Sequence, residues 1–197
     1  MTRLIALPTG HWHSECLCFS QARTMSFTFS RLASHQILTR LDELVDLLID
    51  SVHSGASIGF MSPLSRERAA AFWQQIALGV AGHERVVLIG EDASGQVVGT
   101  AQLITGQPDN QPHRADVAKL LVHSRARRQG VAQQLMAQLE AAARDAGKTL
   151  LVLDTATGSG AETFYTRTGW QRAGVIPDYA LMPGGEPCAT TLFYKAL

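Results

Sequence analysis

Residues 117–132 read Val117-Ala118-Lys119-Leu120-Leu121-Val122-His123-Ser124-Arg125-Ala126-Arg127-Arg128-Gln129-Gly130-Val131-Ala132. A strand-like apolar run enters a basic loop, and a helix begins at Gly130. The first turn of any helix has backbone N–H groups without intrahelical partners, and its dipole favours anions. Gly130 has no Cβ, so a pyrophosphate can approach the backbone there, and Ala132 keeps the next turn nearly as bare. Arg125, Arg127 and Arg128 place charge-assisted donors around the same spot. The loop is not a Walker A motif, because it lacks the second Gly followed by Lys and Ser or Thr.

Outward from this stretch, the spacing predicts a strand over 115–123 and a helix from Gly130 to about Asp145. Val131, Leu135, Leu139 and Ala142 share one face of that helix. Gly147 then caps it, before a short buried strand over 149–154. Upstream, Val86–Glu91 and Val97–Thr105 flank Ala93-Ser94-Gly95 as a hairpin. Before them, residues 26–33 read as a first strand, and Ile37, Leu41, Leu44, Leu48 and Val52 as one amphipathic helix. Ser62-Pro63 predicts the start of a second helix running to about Gly79. Downstream, a helix near 161–168, a strand near 170–176 and a last strand near 189–195 complete the pattern. The whole reads as one mixed α/β (α+β) sheet domain over 25–197. Residues 1–24 show neither period and read as a poorly ordered arm, or as the product of an upstream start codon.

The chain's 197 residues suffice for a substantial core, and 46% apolar against 17% charged residues excludes a disordered polymer. Lys+Arg and Asp+Glu both number 17, so nothing suggests a coat for nucleic acid or an anionic membrane. No apolar run reaches the ~18–20 residues of a membrane span, and Leu4–Leu7 is too short for a secretory signal. Three Cys without a spaced framework suggest reduced thiols and a cytoplasmic setting.

The stretch Arg127-Arg128-Gln129-Gly130-Val131-Ala132 resembles the Q/R-x-x-G-x-G/A signature of the GNAT superfamily of acyl-CoA-dependent N-acyltransferases. Ala161–Trp170, a helix carrying Tyr165 and ending in Gly169-Trp170, resembles that family's second motif. Val52–Met61, Lys119–Val122 and Leu153-Asp154-Thr155 look like segments of tabtoxin-resistance acetyltransferases. The resemblance covers about residue 26 to the C-terminus. It implies a mostly antiparallel sheet with a splayed parallel strand pair that admits acetyl-CoA. Leu120, Leu121 and Val122 would hydrogen-bond the pantetheine arm. Arg127, Arg128, Gln129, Gly130, Val131, Ala132 and Gln133 would cradle the pyrophosphate. It further implies acetyl transfer to the amine of a small molecule such as an antibiotic, toxin or metabolite. No metal and no nucleic-acid partner are expected, in a monomer or homodimer.

Such a transfer needs a base for the amine, a donor for the oxyanion and an acid for the departing thiolate. Tyr165, a phenol protonated at neutral pH, is the expected acid, and a backbone N–H of Leu120–Val122 the oxyanion donor. Asp116, at the start of the cofactor strand, and Asp154, at the end of its neighbour, are the candidate bases. Asp154 has a competing reading as the cap of the following helix. His53, Ser57, Phe60 and Trp73 are candidates for the acceptor pocket. With no Cys expected near the site, direct transfer is favoured over an acetyl-enzyme. Two other functions fit parts of the sequence. One is an acyl-CoA-binding sensor or partner module without turnover. The other is a serine hydrolase built on Gly55-Ala56-Ser57-Ile58-Gly59, a pattern that needs a preceding strand. Gly158-Ser159-Gly160 is only a fragment of a dinucleotide turn. His11, His13, Cys16 and Cys18 lie too close together for the common zinc modules.

Overall fold

The structure, a computed structural model, describes residues 26–197. The expected arm at 1–24 and the His11–Cys18 cluster therefore lie outside the described residues. Seven strands form one sheet in the order β1-β2-β3-β4-β5-β7-β6. They are β1 (Thr28–Leu32), β2 (Arg85–Glu91), β3 (Val97–Ile104), β4 (Arg114–Val122), β5 (Leu150–Ala156), β6 (Gln171–Leu181) and β7 (Pro187–Ala196). The helices are α1 (Ser34–Thr39), α2 (Leu41–His53), α3 (Arg66–Ala81), α4 (Val131–Asp145) and α5 (Gly160–Arg167). The one parallel pair among them is β4 with β5, and all other neighbours run antiparallel.

Two apolar clusters sandwich the sheet. On one face α4 and α5 bury Leu135, Leu139 and Tyr165 against Leu103, Leu151 and Phe193. On the other, α1–α3 bury Ile37, Leu44, Leu48 and Trp73 against Val87 and Ile89. Helix α4 lies close on β3 because residue 99 is Gly: a Cβ there would stand 2.8 Å from Val131 Cγ1.

The single amphipathic helix expected over 37–52 is two helices. Arg40 breaks the run at φ −107°, ψ 20°. Its guanidinium is drawn away to Glu91 at 2.5 Å and the Gly95 carbonyl at 2.6 Å, and it also pairs with Glu43. The expected start at Ser62-Pro63 is also displaced. Ser65 caps α3 by accepting from the Arg68 amide.

Trp73 is fully buried and donates from Nε1 to the Leu44 carbonyl at 2.9 Å, so it belongs to the core and not to an acceptor pocket. Trp73→Ala should destabilise the protein by about 3–5 kcal/mol, since it empties a large site and removes a buried hydrogen bond. Urea unfolding at unchanged m-value measures this loss.

Candidate active site

Strands β4 and β5 are joined only at Arg114↔Leu150, Ala115↔Leu151 and Asp116↔Val152. Beyond that point they part, although β4 continues to Val122 and β5 to Ala156. The β5-facing backbone of Val117–Val122, including Leu120, Leu121 and Val122, therefore has no ladder partner among the described residues. A β-bulge sharpens the parting. Thr100 pairs with Leu121 while Gln102 pairs with Ala118, so Lys119 and Leu120 together oppose Ala101. Lys119 takes a left-handed φ of 51° in this bulge.

At the far end of β4 a 3-10 turn (Ser124–Ala126) leads to Gly130, the N-cap of α4. Gly130 has φ 84°, and a Cβ placed there would meet nothing within 4 Å. The spot is open space in front of the unpaired amides that begin a 15-residue helix. Arg128 (φ 60°), Gln129 and Gln133 are accessible around it. Val131 turns its side chain into the core, so only its backbone faces that space. Gln129 Nε2 donates to the Arg125 carbonyl at 3.1 Å.

Two carboxylates that the sequence did not single out fix this loop. Asp50 of α2 accepts from the Ser124 amide at 2.8 Å and its hydroxyl at 2.7 Å, and lies 3.9 Å from Arg127 Nη2. Asp92, in the β2–β3 turn, binds Arg125 at 2.5 Å. Hydrogen bonds from Ser94 and then from Arg125 hold the Asp92 carboxyl well below the usual carboxylate range. Of the three arginines, then, Arg125 is spent on the scaffold and Arg127 partly so, its Nε donating to the Val122 carbonyl.

The two candidate bases share a sheet face but not an environment. Asp116 sits at the closed end, opposite Val152, bound by Arg114 of its own strand and by Gln107 Nε2 at 3.1 Å. Asp154 lies two residues nearer the mouth and is exposed. It does not cap α5, because Ser159 does so by accepting from the Glu162 amide at 3.1 Å. Tyr165 is 6% exposed on the opposite face, with its ring 5.7 Å from Trp170 and 6.0 Å from Phe193. Burial, with the Asp154 charge adding to it, raises its pKa above the ordinary tyrosine value.

The loop between α2 and α3 roofs the α1–α3 side of the mouth. Ser57 follows a helix, not a strand, so it occupies no nucleophile elbow; its hydroxyl donates to the Leu181 carbonyl at 3.1 Å. Phe60 packs edge-to-face on Phe72 at 5.3 Å, while His53 is exposed at the end of α2. Cys188 corrects the expectation that no cysteine approaches this region, since its Sγ is 3.9 Å from Ser57 Oγ. It nevertheless lies four residues along β7 from Leu192, the partner of Asp154, or roughly 13 Å of strand. Lys119, hidden in an apolar run, reaches the same mouth, and its Nζ donates to the Ile58 carbonyl at 2.8 Å. Among the described residues no group of three or more His, Cys, Asp or Glu could hold a metal ion. Nor is any helix among them long and apolar enough to cross a membrane.

Residues 48–170 match the model of the Acetyltransferase (GNAT) family. An uncharacterized N-acetyltransferase encoded in the hisH-hisA intergenic region of Azospirillum brasilense is 31% identical over 116 residues, covering 58% of this chain and 67% of the relative. The fold is similar to that of a ribosomal-protein-alanine N-acetyltransferase from Brucella melitensis, at TM-score 0.71 and 21% identity over 86% of this chain and 99% of that one. It is likewise similar to a Salmonella typhimurium protein described as an acetyltransferase with its cofactor acetyl-CoA. There the TM-score is 0.69 and the identity 17%, over 87% of this chain and 94% of that one.

Proposed function

Because the chain belongs to the GNAT acetyltransferase family, we propose that it transfers the acetyl group of acetyl-CoA directly to a primary amine of a small molecule. The observation that carries this reading is the parting of β4 from β5 at Asp116 and Val152, with the open helix start at Gly130 at its far end. The first offers unpaired strand backbone to an extended amide chain, and the second offers helix amides to a pyrophosphate. Around it, Arg127 and Arg128 add charge, and Gln129, Val131, Ala132 and Gln133 add backbone or amide donors.

Acetyl-CoA supplies an activated acyl carbon and, after transfer, a thiolate that must be protonated. The new N–C bond forms as the C–S bond breaks, the amine gives up a proton, and the sulfur gains one. Asp154, exposed at the mouth, takes the amine proton, directly or through water. Asp116 is committed to Arg114 and Gln107, so its role is to hold the closed end of the parting. Tyr165 holds the proton destined for sulfur. Cys188 lies too far along β7 for an acetyl-enzyme, which favours direct transfer.

Calorimetric titration of acetyl-CoA should give a Kd near the micromolar range, about −8 kcal/mol. Primary amines can then be screened by thiol release, with product masses checked for a single added acetyl group. Failure to bind acetyl-CoA would refute the reading. Tight binding with no amine turned over would favour a sensor on the same fold.

A further inference from the structure

We propose that the acceptor carries an anionic group, a carboxylate or a similar oxyanion, close to its reacting amine, and that Lys119 binds that group. This rests on the acetyl-transfer reading above and names a substrate class for the same site.

Arg40, Arg66, Arg114, Arg125 and Lys195 each have a carboxylate partner. Lys119 has none among the described residues; Arg31, Arg68, Arg128 and Arg167 also lack one but are exposed, and Lys148 is held by two carbonyls. Its Nζ touches one carbonyl, that of Ile58, and stands 5.8 Å over the Phe72 ring. A largely desolvated ammonium held by one carbonyl and a ring face lacks its natural counter-charge. Burial accordingly pushes the Lys119 pKa below the usual lysine value, opposed by Asp154 and assisted by Arg85.

Position gives this unmatched charge its meaning. The bulge in β4 places Lys119 just past the point where the strands part, and its contacts with Ile58 and Phe72 set it on the α1–α3 face. Asp154 of β5 shares that face across the parting, through the pairing of Asp116 with Val152. The two lips of the mouth therefore carry opposite charges. An amine with a nearby anion fits them in one orientation only, its anion on Lys119 and its amine toward Asp154.

The neighbouring strands have the same excess of donors. Arg85 of β2 forms no ion pair among the described residues and donates to Gln102 Oε1 at 2.6 Å. Gln102 is fully buried, and its Nε2 donor has no acceptor. Arg85 and Gln102 share the face of Val87, which pairs with Gln102. Unmatched polar groups of this kind are kept in proteins mainly where a ligand or water completes them.

The test compares amines in matched pairs, each α- or ω-amino acid beside its own carboxamide, with aminoalkylphosphonates as a third arm. Two readouts are used: kcat/KM from thiol release, and calorimetric titration of each compound into protein saturated with CoA. The wild type should prefer the acids to the amides by about tenfold or more, mainly through KM and the calorimetric Kd. Lys119→Gln keeps a donor for the Ile58 carbonyl but removes the charge, and it should bring the acid-to-amide ratio close to one. Lys119→Arg should restore most of the preference. Equal or reversed preference in the wild type would overturn the inference, as would a preference that survives in Lys119→Gln. If Lys119→Gln does not fold, the wild-type ratio decides alone. Acetyl-CoA binding without turnover of any acid, amide or phosphonate would instead overturn the transfer reading beneath it.

Discussion

Gly130→Glu should abolish measurable acetyl-CoA binding while circular dichroism reports an unchanged fold. The structure separates the two effects. A Cβ at residue 130 meets nothing within 4 Å, so the free protein has room for the new side chain. The left-handed φ of 84° costs about 1–2 kcal/mol with any L-residue, a loss that a domain of this size survives. A carboxylate at a helix N-terminus is in itself favourable to the helix. Where a pyrophosphate must dock, the balance reverses. Two like charges about 4 Å apart, near a protein surface, repel by about 4 kcal/mol, near a thousandfold in affinity. The side chain also occupies the space in front of the helix amides. Gly130→Ala carries the backbone strain without the charge or the bulk, so its affinity should fall by about tenfold at most. A Glu variant with wild-type affinity would show that the start of α4 does not hold the cofactor, and the proposed function would lose its anchor.

The basic loop and Gly130 were legible because a helix start is written locally, in the residues on either side of it. Strand and helix order followed from period in the same way. What escaped the sequence depends on partners distant along the chain. Arg40 splits one expected helix into two because Glu91 and the Gly95 carbonyl, some 50 residues on, claim its guanidinium. Trp73 read as an available aromatic until its indole found the Leu44 carbonyl inside the core. Arg125 and Arg127 looked equally free to meet phosphate, yet Asp92 and Asp50 from separate elements take up one fully and the other in part. Asp116 and Asp154 looked equivalent at strand ends. The register, with strands joined at Asp116 and parted at Asp154, tells them apart. Lys119 did leave a signal, a single charge inside Val117–Val122, a run otherwise apolar. Its meaning appears only with the bulge that turns it onto the acceptor face.

Tyr165→Phe should lower kcat by about a hundredfold or more, the usual contribution of a positioned general acid, with little change in acetyl-CoA affinity. The substitution is a clean one. The ring is packed on Phe164, Trp170 and Phe193, contacts that Phe can keep. Burial and the Asp154 charge, not a hydrogen bond, account for the raised pKa, so removing the hydroxyl strands no partner. A purely structural Tyr165 would therefore leave turnover and stability both close to wild type, and that result would sink the acid assignment. The pH dependence gives an independent check. A phenol with a raised pKa keeps its proton beyond the ordinary tyrosine value of about 10, so kcat should show no alkaline fall from this group below that pH. Stability follows with a definite sign. Below about pH 10 the phenol is protonated in both folded and unfolded chains, and its contribution is intact. Above it the unfolded chain releases the proton while the folded one retains it, so rising pH should destabilise the wild type more than Tyr165→Phe. Urea unfolding of the two proteins on either side of pH 10 would show the difference. Parallel curves would mean that Tyr165 is less enclosed than its aromatic neighbours imply.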